Sequence, residues 1–165
     1  MPYIRICGIS ENFSDLVSLR LIEGRMPEKS DEIVISRHMY TNGRIETSLG
    51  DKLTLEVGQR EIDGEITDSL CSFCGEDEKL VNTQKKTYTV VGICARPDTL
   101  VEKREEPGYS AFTLAENDEN LSYTAYFSLK NSKEIYYKWT KISSLYSLNI
   151  IITNFCPIKK HTTNN

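Results

Sequence analysis

The sequence predicts an α+β fold, with mixed or antiparallel sheets arranged as a ferredoxin-like βαβ lobe and a smaller mostly-β lobe, on three observations. Period-two alternation marks residues 52–57, where Leu53, Leu55 and Val57 share one face and Lys52, Thr54 and Glu56 the other. Residues 88–94, Y-T-V-V-G-I-C, form a second run rich in β-branched and aromatic side chains. After a third alternating run at 123–130, Ile135, Trp139, Ile142 and Tyr146 fall on one helical face ahead of a last apolar run at 148–155. Strand, helix and strand in that order suit a split βαβ unit.

From the N-terminus, residues 3–9 read as a strand with Ile4 and Ile6 on one face and Tyr3, Arg5 and Cys7 on the other. Ser10, Asn12 and Ser14 are cap-type residues ahead of Leu16 and Val17, which predicts a short helix within 10–17. The stretch 21–36, L-I-E-G-R-M-P-E-K-S-D-E-I-V-I-S, carries the most information. Gly24 can take positive φ and Pro27 fixes φ, so the chain turns there before a strand at 32–36. Ser36 can then cap a short helix through Arg37, His38, Met39 and Tyr40. Thr41-Asn42-Gly43 and Leu49-Gly50-Asp51 are predicted turns, and Gly58-Gln59-Arg60 is expected to close a hairpin onto 61–67. Residues 68–86 are polar, and 97–119 are rich in Glu, Asp, Pro and Gly around Ala111, Phe112 and Leu114; both are expected to be surface excursions. Tyr123, Ala125, Phe127 and Leu129 alternate in the next strand, and Asn131 or Ser132 can cap the helix that follows. The expected core is Ile33, Ile35, Leu53, Leu55, Val90, Phe127, Trp139 and Ile142.

A chain of 165 residues fits one domain or two small lobes, and can bury ~70% of its unfolded surface without metal or disulfide staples. The net charge of −4 and the scattered basic residues leave no basic stripe for nucleic acid. No stretch approaches the ~18 consecutive apolar residues of a membrane span, and the start lacks a basic-then-apolar leader.

Three segments carry a family resemblance: E-G-R-M-P-E-K-S-D-E-I-V-I-S at 23–36, L-G-D-K-L-T-L at 49–55 and Y-T-V-V-G-I at 88–93. Together they resemble the extracytoplasmic domain, the MacB-like periplasmic core, of FtsX/MacB-type ABC transporter permeases. The opening I-R-I-C-G-I-S-E-N-F-S-D-L resembles the start of that domain, and 66–81 stand as an insertion. Gly24, Arg25, Pro27, Gly50, Asp51 and Gly92 are the motif positions. The resemblance implies a non-enzymatic domain outside the cell membrane with no cofactor of its own. It would capture a substrate or partner, such as an extracellular peptide, lipid or protein. Its own transmembrane helices then couple it mechanically to a separate ATP-binding subunit. The chain would be an excised domain, 1–165, single or divided into two lobes, one from 1–20 with 120–156 and one from 21–119, with 157–165 leading to a membrane helix. Tyr3 and Phe155 would lie at the same end, in antiparallel neighbouring strands.

Cys71-Ser72-Phe73-Cys74 has the spacing of a chemical site, since two thiols two residues apart can share a metal or form a redox disulfide. It supplies half of a zinc site, and no second CxxC or HxxxH exists. Zinc, a local disulfide and an incidental pair in a mobile hairpin all remain open, and a stand-alone thiol or zinc protein built on Cys71 and Cys74 is the alternative function. Five cysteines cannot all pair within one chain, and Cys7 and Cys94 fit the role of small buried hydrophobes. His38 and His161 are the only histidines available to serve a catalytic thiol, and His38 is expected on a short surface helix. The acidic runs at 76–78 and 116–119 read as solvated loops, and neither GxxxxGK[ST] nor GxGxxG is present. Arg25 beside a glycine turn can tie carbonyls or a carboxylate together, or stay in solvent.

Overall fold

The computed structural model describes residues 3–67, 71–97, 101–102 and 108–116. All lie in a compact unit, Met1–Asn117; Asp118–Asn165 form a second. The expected elements at 123–130, 131–146 and 148–155 fall outside the described residues, as do Phe127, Trp139, Ile142 and Phe155.

The elements are β1 (Tyr3–Ile9), α1 (Phe13–Leu16), β2 (Leu21–Gly24), β3 (Glu32–Ser36), α2 (Arg37–Gly43), β4 (Lys52–Ile62), β5 (Glu65–Ile66), β6 (Glu78–Cys94) and β7 (Gly108–Leu114). The class is α+β, mostly sheet. Seven strands form one mixed sheet in the order β1-β7-β3-β6-β4-β5, with β2 on β6. β6 is the spine. One edge pairs in parallel with β3 over 89–94. Antiparallel to it run β4 over 78–89 and β2 over 92–94. β1 runs parallel to β7 along its whole length, so residues 3–9 share a sheet with 21–114.

The sheet curls. β1 and β4 are separated by three strands in the sheet order, yet the Arg60 guanidinium carbon near the end of β4 lies 5.7 Å from the centre of the Tyr3 ring. Inside the curl, Ile33, Ile35, Met39, Tyr88, Val90, Tyr109 and Ala111 form the core cluster. Ile4, Ile6, Leu53, Leu55 and Val57 pack against it, half-buried, which is where the alternation of β1 and β4 directs them. Each side chain that becomes fully buried contributes ~1.5–3 kcal/mol. On the opposite face, α1 brings Phe13 and Val17 down on the sheet, with the Phe13 and Phe112 rings 6.0 Å apart.

Ser36 caps α2, its hydroxyl accepting from the His38 N–H at 3.2 Å. The helix continues through Thr41, Asn42 and Gly43, where a turn was expected, because Met39 is fully buried and anchors it. The reversal comes at Arg44, left-handed at φ 54, whose N–H meets the carbonyls of Met39 and Tyr40.

Three further expectations are corrected. The hairpin does not turn at Gly58-Gln59-Arg60. β4 runs straight through, and Asp63-Gly64, both at positive φ, make the two-residue turn into β5. Gly58 instead faces the point where β6 carries an extra residue, between the pairs Val57–Gln84 and Gln59–Val81. Residues 78–86 are no excursion but the first half of β6. Their polarity suits a ribbon that is paired with β4 and wetted on its faces, as Glu56 opposite Lys85 and Glu61 opposite Lys79 illustrate. Residues 108–114 are likewise no excursion. They form β7, the buried strand between β1 and β3, with Ala111 and Phe112 wholly enclosed.

Candidate functional site

The six motif positions lie in three separate segments, and the fold gathers those segments along the C-terminal half of β6. Gly24 of β2 stands opposite Gly92 of β6. β3 pairs Ile33 with Val90 and Val34 with Gly92, which leaves Val91 as a bulge. The Val91 carbonyl accepts from the Arg25 N–H at 3.0 Å. The backbones approach so closely that a Cβ on Gly24 would sit 2.2 Å from the Val91 oxygen, and one on Gly92 would sit 2.3 Å from the Arg25 oxygen. Just below, the Gly50 N–H donates to the Val90 carbonyl and the Val90 N–H to the Asp51 carbonyl, both at 2.8 Å. The Asp51 carboxylate accepts from the Ser48 N–H at 2.8 Å and shapes that turn.

Arg25 clamps the loop between β2 and β3. Nη1 donates to the Met26 carbonyl at 3.0 Å and to Glu32 Oε2 at 2.8 Å, and Nη2 donates to Glu32 Oε1 at 2.6 Å. The Glu28 N–H adds a further bond to Glu32 Oε2 at 2.9 Å, and Pro27 is buried inside the loop. Arg25 thus meets both expectations, tying a carboxylate and a carbonyl while about half of its side chain stays in solvent. The Arg25 hydrogen bonds, followed by the Glu28 N–H, lower the Glu32 carboxyl from an ordinary 4.5 to about 2. A carboxyl held low in the folded state stabilises it fully above its ordinary value and loses that contribution as the pH falls through the folded one. Stability is therefore expected to fall as the pH drops from 4.5 towards about 2. Urea midpoints measured across that window should show a shallower loss for Glu32→Gln than for the parent.

Cys71 and Cys74 lie near the other end of β6, and the loop that carries them is held by a buried ion pair. The Arg60 and Glu78 side chains are 8% and 0% exposed. Nε of Arg60 donates to Glu78 Oε1 at 2.5 Å and Nη2 to Oε2 at 2.9 Å. The guanidinium also donates to the Cys71 carbonyl at 2.8 Å and the Ser72 carbonyl at 3.1 Å, and the Cys74 N–H donates to Glu78 Oε2 at 3.1 Å. Hydrogen bonding to Arg60 is the foremost cause that lowers the Glu78 carboxyl, against a burial that raises it. Phe73 leaves the loop to meet Tyr3 edge-on, with ring centres 6.0 Å apart. Cys71, Cys74 and Cys94 carry free thiols. Among the described residues no group of three or more His, Cys, Asp or Glu side chains could hold a metal ion.

A second polar centre has no counterpart in the sequence reading. Glu102 is completely buried, and its Oε1 is met by Arg96 Nε at 3.0 Å and His38 Nδ1 at 3.3 Å. Its Oε2 accepts from the Ser110 N–H at 3.0 Å. His38 is on α2 as expected, but its ring is mostly covered and stands edge-on to Tyr109 at 5.2 Å. Arg5 donates to the Ser110 hydroxyl at 3.0 Å and to the Val101 carbonyl. Burial, with a smaller push from Glu102, raises the nearby Cys94 thiol to about 12. Cys94 is therefore protonated at neutral pH and is a poor nucleophile, so the cluster acts as a tie between α2, β7 and the segment after β6. Nothing in the run 101–106, where glutamates recur, singles out Glu102 as the buried one.

Compared with protein-family models, with curated proteins and with solved structures, the chain gives no match.

Proposed function

We propose that the chain is a non-enzymatic extracytoplasmic domain of an FtsX/MacB-type ABC transporter permease. In this reading it captures a peptide, lipid or protein outside the cell membrane and couples mechanically to ATP hydrolysis by a separate cytoplasmic subunit. A ferredoxin-like βαβ lobe belongs to the same reading, but residues 3–9, which pair with β7, would stand with the mostly-β part and not with that lobe.

One observation carries it. The three segments of the resemblance, 23–36, 49–55 and 88–93, are distant in sequence but form a single bonded unit in which each motif glycine or turn meets β6. A chance likeness in three short strings would not be expected to assemble in this way. The unit is held by backbone hydrogen bonds and close glycine approaches, which suits transmission of force.

Among the described residues no helix is long and apolar enough to cross a membrane; in this reading the helices lie in flanking sequence. Reading the coding sequence on both sides tests it. An apolar segment of ~20 residues is expected close to each end, and flanks without such segments would overturn the proposal.

A further inference from the structure

We propose that Cys71 and Cys74 form a reversible dithiol–disulfide pair which, when oxidised, locks the Phe73 loop against the first strand of the sheet. The inference does not rest on the permease reading.

Four observations converge on it. Both residues are exposed and carry free thiols, so a small disulfide can reach them. Their backbone is already fixed, by Arg60 at the Cys71 and Ser72 carbonyls and by Glu78 at the Cys74 N–H. A loop held at both cysteines has little freedom left to lose when the ring closes, which favours closure over reaction with a second molecule. The Cys74 sulfur is turned back into the span between the two residues, 3.7 Å from the Ser72 carbonyl oxygen. Finally, the Arg60 guanidinium that bonds the Cys71 carbonyl at 2.8 Å sets a fixed positive charge beside the first cysteine.

The chemistry balances with a low-molecular-weight disulfide such as oxidised glutathione as oxidant. The Cys71 thiolate attacks one glutathione sulfur, the glutathione S–S bond breaks, and one glutathione thiolate leaves. The Cys74 thiolate then attacks the Cys71 sulfur of the mixed disulfide and expels the second glutathione. Two electrons pass from the protein to the oxidant, and the two thiol protons end on the released glutathiones. Phe73 lies within the four-residue ring thus closed, so its contact with Tyr3 is held more firmly in the oxidised form.

The test uses the full chain equilibrated with glutathione at graded ratios of oxidised to reduced form, followed by acid quench and alkylation. Trypsin cleavage after Arg60 and Lys79 releases both cysteines in one peptide, 61–79. That peptide is expected to escape alkylation and lose about 2 Da with increasing oxidised glutathione, and to recover on reduction. Cys74→Ser should stop at the mixed disulfide on Cys71, and the oxidised parent should melt several degrees higher than the reduced protein. Alkylation of both thiols at every ratio would overturn the proposal, as would glutathione adducts that never resolve into the internal bond. Retention of stoichiometric zinc with both thiols protected would also overturn it.

Discussion

Gly92→Ala is expected to destabilise the protein by about 3 kcal/mol or more. The new methyl would stand 2.3 Å from the Arg25 carbonyl oxygen and 3.0 Å from a Val34 methyl. The first neighbour is backbone of the clamped β2–β3 loop and cannot swing aside. Gly50→Ala is the internal control, since Gly50 has φ +88 but no atom within 4 Å of the added carbon. Its cost is the conformational one alone, about 1–2 kcal/mol. Urea denaturation of both variants checks the pair, and a Gly92→Ala loss no greater than that of Gly50→Ala would show that the β2–β6 approach is looser than described.

Arg60→Met should cost ~3–5 kcal/mol, because it leaves the Glu78 carboxylate buried without its counter-charge and frees the Cys71 and Ser72 carbonyls. The double change Arg60→Met with Glu78→Leu removes both charges and should recover much of the loss. Equal damage from the single and double variants would mean that the carbonyl bonds, and not the charge pair, hold the loop.

What the sequence discloses depends on how local the cause is. The alternation of 52–57, the β-branched run at 32–36 and the Ser36 cap are settled by near neighbours and appear as expected. The motif positions are legible as a pattern, but their convergence on β6 depends on pairing between remote segments. Arg60 was hidden by the glycine two residues before it: read as a turn, 58–60 could not be seen as a strand carrying a buried guanidinium. Asp63-Gly64 is the stronger two-residue turn signal, and both residues take positive φ there. β7 is masked in the sequence by the acidic residues and Pro107 around it, and only its position between β1 and β3 explains why it is buried.

The placement of β7 also governs how the chain can be made. Arg5 of β1 meets Ser110 of β7 across a separation of 105 residues, and β7 fills the slot between two strands that leave the ribosome long before it. Until that late strand arrives, β1 has no partner in this sheet among the described residues, and β3 lacks one of its two neighbours. Such high contact order places closure among slow events, in the range of milliseconds to seconds. A nascent chain stalled or clipped ahead of residue 108 would therefore present open strand edges to whatever chaperone or protease reaches it first.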